Sequence, residues 1–327
     1  RAYAGQLLTT LAELIPSADF FPLYWKIVSQ FIQSTEPGIR TAILMSLSSM
    51  ANTCPVSIDE VADTLAPFIK TSLTHPDISV RGAALKCIGD FGEANVVFLY
   101  ENAVEFLGLL INAGKDQVNE LCAAAFFDIH LMIERLTLQE IQPIVGDLLA
   151  ACINCVSTTP DFDVRDAALS SLSATVYMVG SQILPYVPGL LQISQKLITV
   201  PLNEEIEIVQ RGRGLELLGC IAKAIGTEKF APYFNDTLAV VKQLLTVQNT
   251  TFESELRQFA YMALVDLFGV YGAQIASLIP DIMQNIIATM DCEDDHEEPQ
   301  DCVASEDDED EEEEEKLSYH SGLLIEK

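Results

Sequence analysis

Pro76-Asp77-Ile78-Ser79-Val80-Arg81-Gly82-Ala83-Ala84-Leu85 and Pro160-Asp161-Phe162-Asp163-Val164-Arg165-Asp166-Ala167-Ala168-Leu169 match closely and lie 84 residues apart, twice 42. Each reads as the entry to a helix. A breaker comes first, an Asp follows that can accept from the first free backbone N–H groups, and a periodic apolar run begins. The small pair after the arginine lets a neighbouring helix approach closely. Weaker copies start at Arg1, Arg40, Arg211 and Arg257, and Val118-Asn119 fills the gap with Asn in the arginine slot. Successive spacings are 39, 41, 38, 46, 46 and 46.

A second register uses prolines, which suit a first helical turn because their missing N–H is not needed there. Pro22, Pro67, Pro143, Pro185, Pro232 and Pro280 are spaced by 45, 76, 42, 47 and 48 residues, where 76 is two units with one proline absent. Both clocks give a unit of roughly 40 to 47 residues, the length of a HEAT repeat, a pair of antiparallel helices stacked on its neighbours. In one unit, Ile141–Cys155 is expected as the first helix, with Ile144, Val145, Leu148, Leu149 and Cys152 on its apolar face. Thr158–Asp161 breaks it, and Asp161 or Asp163 caps a second helix over Val164–Val179. No period-2 run with hairpin turns occurs, so essentially no sheet is expected.

The fold expected is therefore all-α, an α-α superhelix with an acidic disordered insertion. Residues 1–290 form about seven helix-pair repeats, the first and last incomplete. Residues 291–316 are an acidic loop, and 317–327 begin the next helix. The recurring Asp77, Arg81, Asp163, Arg165, Arg211 and Arg257 report this architecture. Each arginine is expected to pair with an Asp such as Asp77 or Asp163, in its own or a neighbouring unit, as a ladder along the stack.

Composition narrows the function. Of 327 residues, 49% are apolar and 20% charged, which excludes wholesale disorder. The chain carries 48 acidic and 18 basic residues, net -30, so phosphates are repelled and direct nucleic-acid binding is not expected. Asp291–Glu315 holds 17 carboxylates and no Lys or Arg. Its Asp291, Glu293, Asp294, Asp295, Glu297 and Glu298, and then Glu306, Asp307, Asp308, Glu309, Asp310, Glu311, Glu312, Glu313, Glu314 and Glu315, form a candidate landing site for Lys/Arg-rich segments. The plain alternative for the same run is a solvated, solubilising loop.

Chemistry-bearing motifs are sparse. The eight cysteines lie in helical-looking segments and read as buried hydrophobes, not as a disulfide framework. Cys152-x-x-Cys155 lacks the second pair a zinc site needs and the βαβ context of a redox motif. Cys292, His296 and Cys302 sit among carboxylates without preorganisation. None of the four histidines joins a nucleophile elbow, and Gly212-Arg213-Gly214 lacks the third glycine of a phosphate loop, so it reads as a packing feature of a helix start. No enzyme, cofactor or metal is expected. The uncharged window Ala167–Gln195 spans 29 residues, but Pro185, Pro188, Gly180 and Gly189 and the repeat register place a turn inside it, so no membrane insertion is expected.

The HEAT units, the Asp-x-x-Val-Arg and Asp-x-Asp-Val-Arg signatures and the acidic insertion resemble importin-β (karyopherin-β) nuclear transport receptors. Arg211–Phe230 and the carboxylate run followed by Leu317–Lys327 are most similar to importin-4-type receptors. The resemblance implies a fragment of an import receptor, about a third of such a chain. It would bind basic cargo such as histones or ribosomal proteins, contact phenylalanine-glycine nucleoporins, respond to Ran-GTP, act as a monomer and shuttle between cytoplasm and nucleus. A HEAT scaffold of another class, phosphatase-regulatory or chromosome-associated, is the competing expectation.

Overall fold

A computed structural model describes residues 2–200, 205–245 and 253–291, and no strand occurs among them. The acidic loop and the helix start expected at 317–327 lie outside the described residues, apart from Asp291, the last residue of a helix. The chain divides into two compact units, Arg1–Met178 and Val179–Lys327.

The first unit holds α1 (Ala2–Leu14), α2 (Ser17–Phe31), α3 (Pro37–Met50), α4 (Pro55–Asp59), α5 (Ala62–Leu73) and α6 (Ile78–Glu93). It continues with α7 (Val97–Glu101), α8 (Ala103–Ala113), α9 (Asn119–Arg135), α10 (Leu138–Ile141), α11 (Val145–Thr158) and nearly all of α12 (Phe162–Val179). One row of helices runs α1, α3, α6 and α9, each touching the next, and a second runs α5, α8 and α11. Helices α2, α5 and α8 each pack on the partner that follows them, α3, α6 and α9, which is the antiparallel pairing the period required. Helix α12 reaches α9 through Ser171, whose buried Oγ donates to the Phe126 carbonyl. The core lies between the rows. Leu47, Leu65, Ile69, Leu85, Phe91, Phe106, Leu110 and Phe126 are at most 2% exposed, and burial of each such side chain contributes roughly 1.5–3 kcal/mol.

The second unit holds a 3-10 turn (Gly180–Ile183), α13 (Val187–Ile198), α14 (Glu205–Leu245), α15 (Glu253–Tyr271), a second 3-10 turn (Gly272–Leu278) and α16 (Ile279–Asp291). Helix α14 is broken at Gly226, where φ is 76° and ψ 172°. α13 and α15 both pack on it. Asn95, Gly180, Gly226 and Gly272 all have positive φ, and all fall fourteen or fifteen residues after an arginine of the repeat register. A left-handed residue ends a helix by turning its last carbonyls toward new donors, so three of these four positions carry the residue without a Cβ.

Two expectations need correction. Pro22, Pro67 and Pro232 lie inside α2, α5 and α14, not in a first turn, because Ser17–Phe21, Ala62–Ala66 and the residues between the Gly226 break and Pro232 are already helical. Gly212-Arg213-Gly214 lies within α14 and not at its start. The apolar stretch Arg257–Ala276 is long enough to cross a bilayer, but Ala260, Tyr261, Ala263, Leu264 and Leu267 bury its inner face in the second unit's core.

Candidate functional site

The arginine slot is built from the helix starts. Asp77 caps α6, accepting from the Ser79 backbone N at 2.8 Å and from Ser79 Oγ at 2.6 Å. These bonds hold its carboxyl below the usual range, and they leave it committed to its own helix. Arg81 therefore reaches forward to the next repeat. Its Nε donates to Asp116 Oδ2 at 2.7 Å and its Nη2 to Asp116 Oδ1 at 3.1 Å, while Nη1 donates to the His75 and Pro76 carbonyls. Burial pushes the Asp116 carboxyl up, but the bonds from Arg81 and Val118 outweigh it and hold the group below its ordinary value.

One repeat on, the link recurs with a neutral donor: Asn119 Nδ2 donates to Asp161 Oδ2 at 2.7 Å. Asp161, through Oδ1, also accepts from the Val164 backbone N at 3.1 Å, so it is Asp161 and not Asp163 that receives the helix-start N–H. Asp163 is exposed in the first turn of α12. Arg40 uses hydroxyls and carbonyls instead, donating to Ser34 O, Phe68 O, Thr71 Oγ1 and Ser72 Oγ, with its guanidinium 4.5 Å from the Phe68 ring centre. Arg165 is half-buried, with an enclosed Nε that lacks a hydrogen-bond partner. In the second unit Arg211 is buried and donates to the Val200 carbonyl, and Arg257 is half-buried. The expected partners Asp77 and Asp163 are thus not those of Arg81. The carboxylate sits in the turn ahead of the following helix.

The row α1, α3, α6 bounds a groove of about 1080 Å³ in the first unit. Its floor is small and apolar or hydroxylic (Gly5, Thr9, Ala42, Ser49, Gly82 and Ala83), with Glu13 and Lys86 as its charged lining. Beside it stands an acidic group. Asp90 accepts from Ser48 of α3 and from Lys86 Nζ at 3.3 Å. Asp128 of α9 is 4% exposed, with an Oδ2 that has no hydrogen-bond partner. Burial, then the charges of Asp90 and Glu93, push its carboxyl well above the usual range. The row thus presents acid without an equal supply of base.

The acidic-segment carboxylates from Glu293 to Glu315 lie outside the described residues. Cys152 and Cys155 are free, and burial pushes their thiols up to about 12 and about 11, which suits packing and opposes thiolate chemistry. Sequence reasoning missed Asp116, Asp128 and Glu93. The repeat register held a signal for Asp128, since it falls nine residues after Asn119 as Asp266 falls nine after Arg257.

Comparison with known proteins agrees with this architecture. The HEAT repeat profile matches residues 65–94. The chain is 22% identical over 286 residues to a probable importin subunit beta-4 of Schizosaccharomyces pombe, covering 87% of this chain and 26% of that protein. The crystal structure of Kap121p superposes with a TM-score of 0.77 at 18% identity, covering 88% of this chain and 27% of Kap121p. Kap121p bound to Pho4p gives 0.76 at 18%, and Kap121p bound to Nup53p gives 0.77 at 17%, each covering 94% of this chain and 28% of that one. The chain thus spans about a quarter of the length of these relatives. The likenesses bear out the resemblance to importin-β receptors, and the solved structures show the fold to be the karyopherin HEAT solenoid.

Proposed function

We propose that this chain is part of a nuclear transport receptor of the importin-β kind, one that carries basic protein cargo and has no catalytic role. The observation that carries the reading is the karyopherin fold over 88% of the chain, in relatives whose crystal structures include complexes with Pho4p and Nup53p. The net charge of -30 supplies the complement to a Lys/Arg-rich partner. Cargo of the histone or ribosomal-protein type, phenylalanine-glycine nucleoporins as a second class of partner, release by Ran-GTP and residence in both cytoplasm and nucleus complete the proposal.

The acidic segment Asp291–Glu315 is the proposed electrostatic landing site, with Asp90 and Glu93 of α6 as a second contact. Each exposed pair contributes roughly 0 to 1 kcal/mol, so attraction must come from many interchangeable contacts. Such contacts are screened over about 8 Å at physiological salt. Replacing Glu306–Glu315 by a Gly/Ser linker should weaken binding of a histone-tail peptide and flatten its salt dependence, without changing melting behaviour. Equal binding by both versions at two salt concentrations would reduce the segment to a solubilising spacer. A pull-down of cargo that ignores Ran loaded with a non-hydrolysable GTP analogue would favour a constitutive scaffold instead.

A further inference from the structure

We infer that the seam between α6 and α9 is a proton-sensitive joint, closed while Asp128 carries a proton and weakened when Asp128 ionises. The second unit supplies the template for comparison. There Asp266 of α15 lies against Gly219 of α14, where an added Cβ would stand 2.5 Å from Asp266 Oδ2. Asp266 forms an ion pair with Lys223, twelve residues after Arg211. Asp128 holds the same register position in α9 and lies against Gly89 of α6, where an added Cβ would stand 2.9 Å from Asp128 Oδ1. The position equivalent to Lys223, twelve residues after Arg81, is Glu93. The first unit has thus kept the glycine notch and the aspartate, and has an acid where the base would be.

Among the described residues, no cation is bonded to Asp128 as Lys223 is to Asp266. On α6, Lys86 draws the Asp128 carboxyl down but is bonded to Asp90, Asp90 and Glu93 are like charges, and the Cys87 thiol is buried and neutral beside them. On α9 itself, His130 Nε2 lies 3.4 Å from Glu134, and Arg135 donates to Asn95. Helix α8 carries a single charged residue, Glu105, which pairs with Lys70. From Ala167 to Val179, α12 has no charge at all. An ionised Asp128 would be a buried anion facing two others, so the packed seam selects the neutral acid. A carboxyl raised in the folded state contributes its stability fully below the unfolded value, about 3.9, and loses it as pH rises toward the folded value.

Amide exchange of the full chain, expressed as protection factors corrected for intrinsic rates, tests the joint between about pH 5 and about pH 8. Protection in α6 and α9 should fall with rising pH, by at most about tenfold per pH unit. Asp128→Asn should abolish the slope. Glu93→Lys should abolish it too, by restoring the pairing of the second unit. An infrared band of a protonated carboxylic acid should be present at neutral pH in the native chain and absent in both variants. If Asp128→Asn does not fold, Glu93→Lys and the native band still decide. A flat native profile, or a native chain without the band, overturns the inference.

Discussion

Arg81 shows what a residue pattern reveals and what it leaves open. Its recurrence placed it at a helix start, but its partner depends on where the side chain is aimed. Side chains on a helix lean toward the N-terminus, so an arginine in the first turn points out over the turn and toward the adjoining repeat. Its own cap, Asp77, is already bonded to Ser79, and the two-pronged acceptor is Asp116. Neither fact is a periodicity, so neither could be read from spacing. Asp116→Asn should cost about 2 kcal/mol, since it weakens a charge-assisted pair whose side chains are only 20% and 13% exposed. Because the folded carboxyl is held low, the contribution is present above about pH 3.9 and fades as pH falls through the folded value. Urea unfolding of the native chain and the variant at neutral and acid pH should give curves that converge toward acid. Curves that stay equally far apart would mean the loss is one of shape and not of charge.

Element boundaries followed from the same arithmetic wherever a cap or a left-handed residue punctuated the chain. They were less legible where helices run past their breakers, as at Pro22 and Pro67. Glycines show why contact between elements is hard to read in advance. Gly212 was expected to serve packing, and a Cβ there would stand 2.1 Å from Cδ2 of Phe259, a rigid ring on the facing helix α15. Gly146 in α11 has nothing within 4 Å of where a Cβ would stand. In a helix interior, propensity alone predicts a gain of about 0.8–1 kcal/mol on changing Gly to Ala, and less at Gly146, the second residue of α11. Gly146→Ala should therefore stabilise by a fraction of that amount. Gly212→Ala should instead destabilise by about 1–3 kcal/mol, because overpacking a well-filled seam outweighs propensity. Thermal or denaturant unfolding of the pair reads the sign directly, and stabilisation by both would refute the packing argument.

At the scale of the molecule, a repeat array makes nearest-neighbour contacts and few others, which is why a local period was enough to name the architecture. The division at Met178 and Val179 was not legible, because it falls inside the uncharged window Ala167–Gln195, where apolar residues continue without a break in composition. Nearest-neighbour organisation has a consequence that a globule would not share. Ala168 is fully buried on α12, and Ala168→Arg would place an unpaired charge there at a local cost of about 4 kcal/mol or more. In a globule with one shared core, that cost would lower protection everywhere. In an array it is confined to the elements that touch the site. Amide exchange should therefore rise in α12 and α9, and remain near native in α2, α3 and α5, which belong to the same unit but contact neither helix strongly. The comparison within one unit is the informative one, since it varies distance along the stack while holding the compact body fixed. Uniform loss from α2 to α12 would show that the first unit unfolds as a single cooperative block, with the stacking visible in its contacts but absent from its energetics.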